Sequence, residues 1–258
     1  MVKGEHLMGL TQEQIDFFWA NGYLSYGKVL EDEEIALLRG AYDAVFEEAW
    51  QTNSLRNLSA GDQVDAEGKR AAPMQMLQIM QMCERNLHFR RLLYHERILD
   101  LVQDLIGPNL MLFHDQALFK PARTGGPVFW HQDNAYWRCR PATLVSCWIT
   151  LDDVDRSNGA MQFIPGSHLK PLWHERSQNT TALLDAGDQV DGEKAAVVEL
   201  PAGGCLFHHC QTLHHTPPNT TDRQRRAFVI HFMQPGTRNK LGEVLRPGFK
   251  NPVLRMSI

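Results

Sequence analysis

The chain has 258 residues, 43% of them hydrophobic and 22% charged, with a formal net charge of −4. These are ordinary globular values, and the length leaves room for one large domain or two small ones. The mildly acidic balance, with no long Lys/Arg block, speaks against a nucleic-acid or anionic-membrane partner.

The opening residues MVKGEHLMGL have no basic segment followed by an apolar run, so no secretory leader is expected. Thr11 is placed to cap a helix over QEQIDFFWANG, with Ile15, Phe18 and Trp19 on one face and Gly22 as the stop. A second helix is expected over 31–50, where an acidic first turn precedes Ile35, Leu38, Tyr42, Val45, Phe46 and Ala49 at helical spacing. A polar, glycine-containing stretch, 52–72, separates it from a helical pair near 86–106 that ends on Gly107. Short β-like runs follow at 109–120, 127–133, 143–151, 161–164, 195–200, 204–209 and 226–233, bounded by Gly, Pro and Asn. Alternation within TLVSCWITL (143–151) is imperfect, as expected for a strand covered on both faces. The polar stretch 173–194 is too long for a simple hairpin and reads as a lid or an excursion. Helices first and strands afterwards predict a mainly β fold with an α buttress: a sandwich or barrel with N-terminal helices on one side.

The five cysteines, an odd number without a CxxC pair, argue against a disulfide framework or a zinc finger. No run approaches the roughly 20 apolar residues of a membrane helix. A soluble protein of a reducing compartment, the cytoplasm, is the expectation, which makes the N-x-S/T triplets chance matches. Oligomeric state is not legible.

The stretch FWHQDNAYW (129–137) sets His131 and Asp133 two apart in an aromatic, strand-like segment. On an extended strand both side chains project to one face. A third group could come from CLFHHCQTLHHTPPN (205–219), which offers His208, His209, His214 and His215. Two histidines and a carboxylate on one face of a metal form the facial triad of non-haem Fe(II) oxygenases. Without a distal partner, a His-x-Asp pair reads first as a structural hydrogen-bonded pair.

WHQD (130–133), NGAMQFIPGSH (158–168), the H-x-T-x-x-N element at 214–219 followed by an arginine, and the N-terminal QIDFFWANGYL resemble the phytanoyl-CoA dioxygenase family. The resemblance covers about residues 10–235. It implies a double-stranded β-helix (jelly-roll or cupin-like) and a single oxygenase domain over 1–258. Within that domain a helical part would span about 10–106, a barrel about 107–235 and a C-terminal extension 236–258. It implies Fe(II) held by His131, Asp133 and His214, the last chosen over its neighbours because it stands five residues before Asn219. It also implies 2-oxoglutarate as cosubstrate with O2. Arg225, eleven residues beyond His214, would clamp the far carboxylate, with Thr216 beside it, Trp148 as the aromatic wall, and Gln116 and Gln78 lining the pocket.

The activity implied is oxidation of a C–H bond in a small organic substrate by hydroxylation, cyclisation or desaturation, with release of succinate and CO2. Asp133 speaks for oxygenation, since related halogenases carry Gly or Ala there. A role in natural-product biosynthesis is the working expectation. The polar, acidic loops 52–73 and 173–195 favour a hydroxylated or cationic substrate. A cupin-type metal enzyme that does not use 2-oxoglutarate, and a non-catalytic binding protein on the same fold, are the alternatives, and Arg225 separates them.

Other residues are given structural roles. His208, His209 and His231 are read as core histidines, and Arg223 and Arg226 as solvated. Asn158, Gly159, Pro165 and Gly166 are read as turn formers, and the methionines of 73–82 as core filler. Asn134, Tyr136 and Trp137 follow the His-x-Asp pair closely enough to be candidates for the substrate wall.

Overall fold

The imperfect alternation at 143–151 has a direct structural counterpart. A computed structural model describes residues 9–58, 75–176 and 183–257. The N-terminal part comprises helix α1 (Gln12–Asn21), strand β1 (Tyr23–Lys28), helix α2 (Asp32–Gln51), strands β2 (Arg56–Asn57) and β3 (Leu77–Met80), and helices α3 (Met82–Arg85), α4 (Leu87–Leu92) and α5 (Glu96–Ile106). Then come β4 (Leu110–Lys120), β5 (Val128–His131), a short helix α6 (Asp133–Trp137), β6 (Val145–Thr150) and β7 (Met161–Phe163). The remaining strands are β8 (Glu175–Arg176), β9 (Leu184–Asp185), β10 (Ala196–Val198), β11 (Gly204–His209), β12 (His214–Thr216), β13 (Arg225–Met233) and β14 (Val253–Arg255).

The major sheet runs β1-β11-β6-β13-β4-β3-β2, with β14 added on β4, and the minor sheet runs β10-β7-β12-β5. Their pairings are antiparallel throughout. All residues of β6, β11 and β13 are buried, because both faces of the major sheet are covered. Val145, Cys147, Ile149, Phe207, Phe228, Ile230 and Phe232 face the helices, where they pack with Phe18, Leu38, Tyr42, Phe89 and Leu99. The alternate residues Trp148, Leu206, Ala227 and Val229 face the minor sheet and meet Met161 and Phe163. This two-sheet arrangement with a helical buttress is the predicted jelly-roll type, and the period of two sends Arg225, Val229 and His231 to the same interior.

The first helix is built as predicted: Thr11 and Gln14 cap each other reciprocally, and Gly22 closes the helix at φ 80°. The expected helical pair near 86–106 is α4 and α5, and the short α3 precedes it. The helical region about 10–106 also contains three strands that the sequence reading lacks. β1 is an edge strand with a bulge between Ser25 and Gly27, and β2 is two residues long, so neither carries a readable alternation. β3 falls in the methionine-rich run, where Leu77 and Ile79 point to the core.

A second correction concerns 127–133. Strand β5 ends at His131, and Asp133 opens α6. The chain turns because Asn134 N–H donates to Cys210 O (2.8 Å) and the Asn134 side chain clasps both Cys139 N and Cys139 O. Much of the polar stretch at 52–72 and part of 173–194 lie outside the described residues. The described part of the latter docks on β5, with Ala186 N–H donating to Trp130 O (2.7 Å). Among the described residues no helix is long and apolar enough to cross a membrane.

Candidate active site

His131 on β5 and His214 on β12 are direct cross-strand partners, which brings their rings to 4.2 Å between centroids. Each imidazole donates its Nδ1–H to a backbone carbonyl two residues earlier, Phe129 O at 2.8 Å and Thr212 O at 2.9 Å. That fixes the tautomer and leaves both Nε2 lone pairs aimed at Asp133 Oδ1, at 3.6 and 3.8 Å. The donor atoms of these three buried residues lie within 4.8 Å of one another and could hold a metal ion. Burial works against the charged form of Asp133, but the facing His214, His131, His208 and His231 hold its pKa well below the usual carboxylate range. Burial likewise keeps His214 neutral by pushing its pKa well down. Two imidazoles with an ionised carboxylate are the donor set a divalent transition metal takes.

Between His131 and Asp133, Gln132 ties the segment to two surrounding loops. Its amide donates to Gln211 O (2.7 Å) and Lys170 O (3.0 Å), and its Oε1 accepts from Leu172 N–H (2.8 Å). Sequence reasoning missed it. Its only signal is its place inside the His-x-Asp motif.

The triad lines a cavity of about 250 Å³. Arg225 lines it too, fully buried, with none of its three guanidinium nitrogens hydrogen-bonded to any described residue. Burial lowers its pKa to about 10. Its guanidinium carbon is 5.5 Å from the centre of the Trp148 ring, and the Thr216 hydroxyl, also buried and unpartnered, opens on the same cavity. A buried cation sharing a cavity with a buried hydroxyl and an aromatic wall could receive a carboxylate. Lys120, equally buried, is already partnered. Its ammonium donates to Gly126 O (2.6 Å), Thr216 O and Pro217 O, and burial together with Arg225 pushes its pKa well down.

Gln116 and Gln78 both line the cavity and are hydrogen-bonded to each other. Tyr136 and Trp137 line it too, Tyr136 edge-on to His131 and accepting from Leu184 N–H (2.6 Å), Trp137 packed against His231 and His114. Asn134 is not in the wall, because its amide is spent on the turn at Cys139. His215 stacks on Trp130 at the cavity edge.

Four structural readings change. His208 and His231 are cavity residues, not inert core histidines: His208 Nδ1 is unpartnered and 3.9 Å from Asp133 Oδ2. His209 does sit in the core, accepting from Gln211 N–H. Arg226 is not solvated but buried in ion pairs with Asp152 and Asp43. Met76 and Met80 line the cavity, whereas Met82 packs in the core. His114, whose pKa burial pushes down to about 4, is a further wall residue that carried no sequence signal.

The family model described as phytanoyl-CoA dioxygenase (PhyH) matches residues 18–227. The chain belongs to the phytanoyl-CoA dioxygenase family. A curated relative, the probable alpha-ketoglutarate-dependent hypophosphite dioxygenase of Stutzerimonas stutzeri, is 32% identical over 143 residues, 53% of this chain and half the length of that relative. The solved structure of the non-haem alpha-ketoglutarate-dependent carbocyclase SnoK from nogalamycin biosynthesis is similar over 95% of this chain and 96% of its own, with TM-score 0.77 and 24% identity. EvdO2 from Micromonospora carbonacea var. aurantiaca, solved in complex with 2-oxoglutarate, is similar over 93% and 96% of the two chains, with TM-score 0.67 and 28% identity. The phytanoyl-CoA dioxygenase family is a family of Fe(II)- and 2-oxoglutarate-dependent oxygenases, and this member carries the fold and a His-Asp-His donor set.

Proposed function

We propose that the protein is an Fe(II)/2-oxoglutarate-dependent oxygenase that oxidises a C–H bond of a small organic molecule in natural-product biosynthesis. The observation that carries the reading is Arg225: a fully buried guanidinium without a hydrogen-bond partner among the described residues, in the same cavity as the three donor side chains. A cupin-type metal enzyme without a dicarboxylate cosubstrate has no use for such a group, and neither has a passive binding module. The 2-oxoglutarate complex of EvdO2 and the biosynthetic setting of SnoK support the cosubstrate and the substrate class.

His131, Asp133 and His214 would hold the iron. When bound, Fe(II) supplies the redox chemistry that couples O2 and the oxidative decarboxylation of 2-oxoglutarate, to succinate and CO2, to oxidation of the substrate. Arg225 would take the far carboxylate of 2-oxoglutarate bidentately, with the Thr216 hydroxyl donating to the same group and Trp148 fixing the guanidinium plane. Gln116 and Gln78 line the cavity wall beyond Arg225. Tyr136, Trp137, Met80 and His114 would wall the substrate on the side away from Arg225 and keep water from the reacting carbon.

The test is succinate formation by purified protein with Fe(II), 2-oxoglutarate and O2. Slow uncoupled succinate release, abolished in His214→Ala and requiring far higher 2-oxoglutarate in Arg225→Met, is the expected result. Metal-loaded protein that neither binds 2-oxoglutarate nor forms succinate contradicts the reading.

A further inference from the structure

A line of hydrogen bonds crosses the cavity face of the major sheet strand by strand, from β2 to β6. Arg56 Nη1 donates to Gln78 Oε1 (3.4 Å), and Gln78 Nε2 donates to Gln116 Oε1. Gln116 Nε2 lies 2.9 Å from His231 Nε2, His231 Nδ1 lies 2.7 Å from Ser146 Oγ, and Ser146 Oγ lies 3.3 Å from Asp133 Oδ2. The ends dictate the direction. An ionised carboxylate only accepts, so the Ser146 hydroxyl gives its proton to Asp133 and must accept from His231 Nδ1–H. His231 Nε2 then carries the lone pair and accepts from the Gln116 amide, whose own oxygen accepts from Gln78. Every member donates toward Asp133.

Sheet register makes this line possible. Arg56 and Gln78 are direct cross-strand partners, as are His231 and Ser146. Gln78 with Gln116, and Gln116 with His231, are diagonal neighbours. At its inner end the line divides the work of the carboxylate. Asp133 Oδ1 faces the Nε2 atoms of His131 and His214, and Oδ2 is occupied by Ser146. Ser146 and His231 are themselves buried, at 0% and 2% exposure.

We propose that Ser146 and His231 are positioning residues that hold Asp133 in a one-oxygen presentation to the metal, and that Gln116 and Gln78 fix the His231 tautomer this requires. The inference rests on the reading of His131, Asp133 and His214 as metal ligands. Partners of this kind typically contribute tenfold to a hundredfold in metal affinity.

The experiment is anaerobic Co(II) titration of the full chain, reading the dissociation constant by calorimetry and the coordination by the visible cobalt spectrum, with no turnover involved. Four variants are compared: Ser146→Ala, His231→Asn, His231→Gln and Gln116→Leu. Asparagine can place an N–H where His231 Nδ1 stands and keep the donor to Ser146. Glutamine reaches the Nε2 position and keeps only the Gln116 contact. The expected order is wild type close to His231→Asn, with Ser146→Ala and His231→Gln at least tenfold weaker and spectrally altered, and Gln116→Leu between them. A merely structural role for His231 would not separate Asn from Gln. Ser146→Ala removes a single oxygen and so keeps the test valid should a His231 variant fold poorly. Cobalt binding at wild-type affinity and with the wild-type spectrum in Ser146→Ala overturns the inference while leaving the triad intact. Wild-type protein that takes up no Co(II) overturns the ligand assignment, and this inference with it.

Discussion

Arg225 and Arg226 are consecutive in sequence and should respond to the same substitution with opposite signs. Burial moves the Arg225 pKa from 12.5 to about 10, which corresponds to about 3 kcal/mol against the folded state. The folded pKa is below the unfolded one, so this penalty is fully present at neutral pH and disappears only as the pH rises past about 10. The contact with Trp148 returns about 1–2 kcal/mol for a desolvated pair. Arg225→Met, similar in length and free of charge, should therefore raise the stability of the protein without 2-oxoglutarate by about 1–2 kcal/mol. For a chain of this size that is roughly 2–8 °C in Tm. The same change should weaken 2-oxoglutarate about 10²- to 10⁴-fold, since removing one partner of a buried charge pair costs about 3–5 kcal/mol. Differential scanning fluorimetry without ligand, and calorimetric 2-oxoglutarate titration of the Co(II) protein, read the two effects separately. An Arg225→Met protein that melts below wild type and binds 2-oxoglutarate undiminished would refute the reasoning on both counts.

Arg226→Met should do the reverse. It strips Asp152 of contacts at 2.7 and 3.0 Å and Asp43 of contacts at 2.9 and 3.1 Å, costing about 2–3 kcal/mol. The cost falls below that of a fully enclosed pair because Asp43 is 58% exposed; a lowered Tm with unchanged 2-oxoglutarate affinity is the check. Divalent metal at a hundredfold excess over its dissociation constant should stabilise the protein by about 2.7 kcal/mol, and the thermal shift should vanish with a chelator and in His214→Ala. Gly203→Ala should cost about 2–3 kcal/mol. The residue sits at φ 78°, and a Cβ there would come within 2.9 Å of Leu30 O; urea unfolding measures it, and an unchanged midpoint would contradict the strain argument.

The triad was legible because motif spacing survives without knowledge of the turn that delivers it. His131 and Asp133 do converge, yet not as neighbours on one strand face: α6 starts at Asp133, and the Asn134 clasp on Cys139 that turns the chain has no sequence signature. Arg225 was singled out only by the family resemblance, which expects an arginine eleven residues beyond His214, since an isolated arginine in RQRRAF looks solvated. Its neighbour Arg226 shows how weak that default is, for its partners Asp43 and Asp152 come from remote positions. Likewise β1 and β3 gain their identity from β11 and β4, and nothing local marks them. His231 and His208 were assigned to the core because their burial is real; what sequence hid was that the buried side of their strands encloses a cavity.

The central claim is that the three donors and Arg225 together hold iron and 2-oxoglutarate, and anaerobic optical titration of the Fe(II)-loaded protein with 2-oxoglutarate tests it most directly. The account predicts a weak visible metal-to-ligand charge-transfer band that saturates with 2-oxoglutarate. The band should be absent in His214→Ala and need far higher concentration in Arg225→Met. Tight Fe(II) binding with no band at any 2-oxoglutarate concentration would contradict it.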